Sequence, residues 1–334
     1  MTVIPENYHS ELALYDTQRA IERIKHIFLT KLCAALHLVR VTAPLVVDPA
    51  TGINDNLNGV ERPVRFDVPA VGKDAEVVHS LAKWKRLALH TYEFVPGKGL
   101  VTDMNAIRRD EELDNIHSIY VDQWDWEKVL LKEERTPAYL EDAVRRIVTA
   151  ICGTLDELKW QYPELTTELD REVAFVTTQE LEDRYPDLTP KEREDQFVSE
   201  HHTAFIRNIG GALRSGKPHD GRAPDYDDWD LNGDLFFWDE TLGHALEVSS
   251  MGIRVSPESL DRQLTIAGCN DRRELPFHKM LLHPGQRDRT APLRQVGLSG
   301  RLKERSSFNR GDAAHCAHSL RSHTCGLRSA TRQK

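Results

Sequence analysis

The chain has 334 residues, 40% of them hydrophobic, and carries 44 basic against 53 acidic side chains, a net charge of -9. It can bury a sizeable core, it holds no run near the ~20 apolar residues of a membrane span, and its acidic balance argues against nucleic acid as main partner. Five cysteines without a pairing framework, after a polar N-terminal stretch with no apolar signal core, predict a reducing, cytoplasmic setting.

Ile21, Ile24, Ile27, Phe28, Leu32 and Leu36 recur at helical spacing, so the first predicted element is an amphipathic helix. "VRVTAPLVVD" then reads as one strand, and Pro44, which lacks a ladder donor, assigns it to an edge or interface. "GINDNLNG" is a turn-rich loop, and "EVVHSLAKWKRLALHTY" starts extended and becomes helical. After the charged loop "RRDEELDN" comes the strand "HSIYVDQWDWE". With a period of two, one face carries His117, Ile119, Val121, Gln123, Asp125 and Glu127, and the other carries Tyr120, Asp122, Trp124 and Trp126. An amide and two carboxylates in a row, backed by two indoles, are more than a solvated face requires.

"YLEDAVRRIVTAICGTLDELKWQYP" predicts a long amphipathic helix, and "EVAFVTTQEL" a strand running into a short one. "AFIRNIGGAL", "DLFFWD" and "ALEVSSMGIRV" are further strands, and "SPESLDRQLTIAG" is a helix capped by Ser256 with Pro257 in first position. This irregular order predicts an α+β fold, a mostly antiparallel sheet flanked by helices. "GALRSGKP" matches the spacing of a phosphate-binding loop, but Pro218 stands where Ser or Thr would hold magnesium, so it reads as a glycine turn. His315, Cys316, His318, His323 and Cys325 follow no zinc spacing. His201 and His202 read as a solvated pair.

Three segments resemble a class II aminoacyl-tRNA synthetase core. The first helix with "VTAPLVV" resembles the dimer-forming first motif, "AIRRDEELDNIHSIYVDQWDWE" the second, and "LNGDLFFW…LEVSSMGIRV" the strands that carry metal-binding acids. "NDNLNGVERPV", "VVHSLAKWKR", "HSIYVDQWDWE", "RYPDL", "RAPDYDDW", "LNGD" and "SSMGIRV", in order, resemble the ammonia-dependent asparagine synthetase A (aspartate–ammonia ligase) family. Nothing in the sequence resembles an anticodon-binding domain.

The resemblance implies ligation of ammonia to the side-chain carboxylate of L-aspartate, with ATP and Mg2+, through β-aspartyl-AMP, in a homodimer without nucleic-acid or membrane partners. It implies Arg108 on the α-phosphate, His117 and Arg254 on the nucleotide, and Asp234 and Glu247 on the metal. Gln123, Asp125 and Asp227 would take the substrate ammonium, Lys85 its α-carboxylate, and Ser249 and Ser250 either end. Asp55 or Asp227 would take a proton from ammonia. The other reading is a relative that binds aspartate or nucleotide without turnover.

Residues 1–282 are expected to form the ligase domain. Residues 283–334, with 11 basic and 3 acidic side chains and one aromatic, Phe308, are expected to be a disordered, basic tail. The family's glycine-rich third motif should follow "FHKMLL"; "VGLSGRL" is at best an echo of it, as though the C-terminus were out of frame or replaced. Loss of that motif predicts a poor enzyme, with a strand missing from the sheet.

Overall fold

A computed structural model describes residues 8–54, 61–113, 117–274, 278 and 296–303. Helix α1 (Leu14–Leu36) buries Ile24, Ile27, Phe28, Leu32 and Leu36 along one face, as the spacing requires. The strand expected around Pro44 is two short ones, β1 (Leu38–Arg40) and β2 (Val46–Val47), in different sheets. Proline cannot donate to a ladder, so the chain changes sheets there. Strands β3 (Arg65–Val68) and β4 (Lys73–Val77) complete a small sheet of order β2-β4-β3.

Helix α2 (Ala82–Thr91) leads to β5 (Gly99–Ile107) and β6 (Tyr120–Leu130). Helix α3 (Pro137–Gln161) starts at Thr136, whose hydroxyl accepts from the Tyr139 N–H at 3.2 Å. Then come β7 (Ala174–Thr177), α4 (Thr178–Arg184), α5 (Pro190–His201), β8 (Thr203–Arg207), β9 (Asp227–Asp239), β10 (His244–Arg254) and α6 (Pro257–Ile266). Between β8 and β9 the glycine segment is a tight turn: Leu213 N–H donates to Lys217 O at 2.9 Å, and no helix opens after it.

A further strand, β11 (Val296–Lys303), lies inside the segment expected to be unstructured. It takes a central place in the large sheet, whose order is β1-β5-β6-β11-β10-β9-β8-β7. Every described pairing is antiparallel except β1–β5 and β7–β8. The expectation of a missing strand is therefore corrected. Long strands β6 and β10 each present a row of backbone donors and acceptors, and "VGLSGRLK" supplies the complementary row. The remaining tail residues, the scattered His and Cys among them, lie outside the described residues.

Helices α1 and α3 cover one sheet face, where Phe28, Leu32, Val144, Ile147, Leu235, Phe237, Leu246, Val248, Met251 and Ile253 join one apolar cluster with Trp124 and Trp126. Complete burial of such side chains contributes about 1.5–3 kcal/mol each. The opposite face carries a smaller cluster, including Phe197, Ala204, Ile206 and Phe236, and leaves the polar side of β6, β9 and β10 for other use. Among the described residues no helix is long and apolar enough to cross a membrane.

Candidate active site

Strand β6 divides as the alternation requires. Trp124 and Trp126 enter the core, Trp124 edge-on to Phe28 at 4.8 Å. Gln123, Asp125 and Glu127 face the other way and are nevertheless buried, both acids at 0% exposure. A buried polar atom without a partner costs about 1–3 kcal/mol. Yet Gln123 Oε1, Asp125 Oδ2 and Glu127 Oε1 have no hydrogen-bond partner among the described residues. These three atoms, in a row on a rigid strand, keep capacity for further hydrogen-bond donors.

Cations from other elements close over this face. Lys85 of α2 is buried, and its Nζ donates to Asp125 Oδ1 and, at 3.1 Å, to Trp126 O. Burial pulls its pKa below the usual lysine range, against the pull of Asp125. Arg86 approaches Glu127 Oε1 at 3.6 Å, and burial pushes its pKa down to about 10. Arg254, at the end of β10, donates to Glu127 Oε2 at 3.0 Å and to Asp227 Oδ1 at 3.1 Å. Burial works against its charge, but Glu127 and Asp227 outweigh it and hold the guanidinium protonated. Lys85, Arg86 and Arg254 thus balance Asp125, Glu127 and Asp227. A grid that is neutral in sum and charged in detail suits a guest carrying both signs.

The next part of the face is built by β9 and β10. A bulge between Glu247 and Ser249 shifts the register, so that Glu247 stands opposite Phe236 and Ser250 opposite Asp234. Asp234 and Glu247 are close enough to interact: burial first, then Glu247, raises the Asp234 pKa to about 6. Arg222 answers them, donating to Asp234 Oδ1 at 2.6 Å and to Ser250 Oγ. Burial opposes the charge of Arg222, and Asp234, Asp227 and Glu247 overcome it. Two neighbouring carboxylates with one arginine fit a magnesium ion, which takes one or two protein carboxylates and completes its shell with water and phosphate oxygens.

The other expected residues fall in different places. Ser249 departs from expectation: the bulge sets it opposite Leu235, a core residue, while Ser250 shares the face of the acids. Arg108 leaves the end of β5 half-buried, 3.5 Å from Glu111. His117 precedes β6 and is half-buried. Asp55 lies outside the described residues; its neighbour Asn54 is fixed by bonds to Glu76 and Val77 and accepts from the His79 N–H at 2.8 Å.

Sequence reasoning did not single out Arg86 or Arg222, and placed Glu127 on the face without a role. A signal existed for each. Arg86 adjoins Lys85 in "AKWKR", Arg222 is the one cation of "RAPDYDD", and Glu127 continues the i, i+2 row. Arg135 gave no such signal: it joins Arg254 O to Asp228 Oδ2, the latter at 2.5 Å, across more than ninety residues of chain.

The chain has known relatives in sequence and in fold. The pattern of the aspartate-ammonia ligase family matches residues 15–287. The chain is 57% identical over 282 residues to an aspartate–ammonia ligase of Lactobacillus johnsonii, covering 84% of each. It is 57% identical over 281 residues to that of Clostridium tetani, covering 84% of this chain and 82% of the relative. In fold it is similar to asparaginyl-tRNA synthetase of Pyrococcus horikoshii complexed with asparaginyl-adenylate, with a TM-score of 0.57 and 14% identity. That match covers 86% of this chain and 64% of the synthetase, so the chain spans less than two thirds of it. Aspartyl-tRNA synthetase of Entamoeba histolytica gives a TM-score of 0.55 at 13% identity, covering 86% of this chain and 54% of that one. The core is that of a class II aminoacyl-tRNA synthetase, and the chain belongs to the aspartate–ammonia ligase family.

Proposed function

We propose that the chain ligates ammonia to the side-chain carboxylate of L-aspartate at the expense of ATP, yielding L-asparagine, AMP and pyrophosphate. A carboxylate does not react with ammonia at neutral pH, because oxide is too poor a leaving group. In the first step a β-carboxylate oxygen attacks the α-phosphorus and pyrophosphate leaves, giving β-aspartyl-AMP. In the second, ammonia attacks the acyl carbon, AMP leaves with the bonding pair, and the nitrogen gives up a proton. The residues of this face serve positioning and charge stabilisation.

The observation that carries the reading is the β6 row of buried, unsatisfied acceptors beneath Lys85. The substrate ammonium donates to Gln123, Asp125 and Asp227, while Lys85 receives the α-carboxylate and Ser250 orients the side chain. Arg254, held by Glu127 and Asp227, serves the carboxylate end of the adenylate as readily as the nucleotide. Arg108 grips the α-phosphate and His117 lies along the nucleotide. Asp234 and Glu247 would hold a magnesium ion, which when bound would supply positive charge to the phosphate oxygens. Asp227, or Asp55 from its loop, accepts the proton from ammonia. Two chains pair through α1 and the Pro44 segment, and residues 1–282 with β11 form the working unit.

Titration calorimetry with the Asp125→Asn chain tests the carrying observation. Loss of a charged hydrogen bond in a buried site weakens aspartate binding by about 2–3 kcal/mol. Unchanged affinity would remove Asp125 from the site.

A further inference from the structure

We propose that Gln263, on the buried face of α6 and apart from the charged grid, is the positioning residue for the Asp227 carboxylate. The proposal rests on the reading above that Asp227 binds the aspartate ammonium. The chain enters β9 through Pro224–Trp229, opposite a register shift between Gly252 and Arg254. Such a shift leaves backbone groups without ladder partners. Gln263 replaces them. Its Nε2 donates to Pro224 O at 2.9 Å and to Asp227 O at 3.1 Å, and its Oε1 accepts from Trp229 N–H at 2.9 Å. Both amide hydrogens and the oxygen are used, at 0% exposure. No other side chain supplies two donors and one acceptor from that distance along its stem.

The helix that presents Gln263 is itself fixed. Ser256 caps it, accepting from Ser259 N–H at 3.1 Å, and Leu260 and Leu264 pack with Val255. On its other side Asp227 is pressed against Gly252, where a Cβ would stand 2.9 Å from both Asp227 Cβ and Cγ. With its carbonyl held by Gln263 and its Cβ packed on Gly252, Asp227 places its carboxylate on Arg254 at 3.1 Å. Asp228 turns the opposite way, to Arg135. Gln263 therefore sets the angle of a carboxylate it does not touch, through the backbone of the same residue.

The test is calorimetric titration of aspartate, and separately of ATP with magnesium, into the full chain. The variants are Gln263→Met, Gln263→Glu, Asp227→Asn and Leu264→Ala, each also melted thermally. Gln263→Met removes all three bonds; Gln263→Glu keeps the acceptor for Trp229 and folds if the methionine chain does not. Both should lose about tenfold in aspartate affinity, the equivalent of one to two hydrogen bonds, and less in ATP affinity, because Glu127 still holds Arg254. Leu264→Ala should lower the melting temperature and keep aspartate affinity, which separates positioning from plain stability. Aspartate affinity equal to the parent in the Gln263 variants, or lost equally in Leu264→Ala, overturns the proposal. If Asp227→Asn binds like the parent, the reading of Asp227 falls and the proposal with it. If Asp227→Asn weakens binding and Gln263→Glu does not, only the positioning role falls.

Discussion

Gly297 of β11 stands directly against Glu127: a Cβ built on it would meet Glu127 Oε1 at 2.6 Å and its Cγ at 3.2 Å. Strand β11 thus does more than fill the sheet, because a residue without a side chain gives Glu127 room to reach Arg254 and Arg86. Replacing Gly297 with alanine should displace Glu127, lower stability by about 1–3 kcal/mol and weaken aspartate binding. Thermal melting and titration of the variant check this, and parent-like values in both would show that β11 is incidental to the site.

The Lys85–Asp125 pair is fully buried, so its two members should not behave alike when removed singly and together. Asp125→Leu alone leaves a buried ammonium without its counter-ion and should cost about 3–5 kcal/mol of stability. Adding Lys85→Met should recover most of that loss, since apolar replacements of a buried ion pair are often neutral. Aspartate binding should be absent in both. Chemical denaturation of the single and double variants provides the comparison, and an additive loss would mean the two charges are not coupled.

Asp234 is an acid whose pKa is raised in the folded chain, to about 6, first by burial and then by Glu247, against about 3.9 when unfolded. Between those values the folded state keeps a proton that the unfolded state has released. Its contribution to stability is therefore complete below pH ~4 and lost as pH rises through about 6. Glu247→Gln removes one cause of the shift, so the melting temperature of that variant should fall less steeply over this window. Identical pH profiles for parent and variant would separate the two carboxylates electrostatically.

Apolar side chains stand exposed on β1, β2 and β3: Val39 at 57%, Val46 at 41% and Phe66 at 42%, with Leu45 between the first two at 56%. Those of β1, β2 and Leu45 belong to the segment proposed for dimer contact, and Phe66 lies in the small sheet that β2 joins. Sedimentation should give a dimer at micromolar concentration, and Leu45→Asp should shift it to monomer without loss of helix content. A parent chain that sediments as a folded monomer would contradict the assembly.

Much of this was legible because local chemistry and tertiary demand agree. The spacing in α1 and α3 and the Ser256 cap mark helices that form where they are read. The β6 row was legible because Trp124 and Trp126 fix which face is core, leaving Gln123, Asp125 and Glu127 for the other. Strand β5 was not singled out from the sequence, as Asp103 and Asn105 interrupt its apolar run. Strand β11 was misjudged because "VGLSGRLK" has low strand propensity, and its state is decided by the partners β6 and β10 on either side. The bulge that turns Ser249 away from the Glu247 face and puts Ser250 on it depends on a pairing register no single segment reveals. Contacts such as Lys85–Asp125 and Gln263–Asp227 join distant segments, and only the fold supplies them.

The most direct measurement uses the purified full chain with ammonium, ATP, magnesium and aspartate labelled with 18O in its side-chain carboxylate, read by mass spectrometry. Attack of that carboxylate on the α-phosphorus predicts asparagine and AMP in equal amounts, with one labelled oxygen carried into each AMP. Formation of ADP, unlabelled AMP, or no asparagine would contradict the reaction assigned to this site.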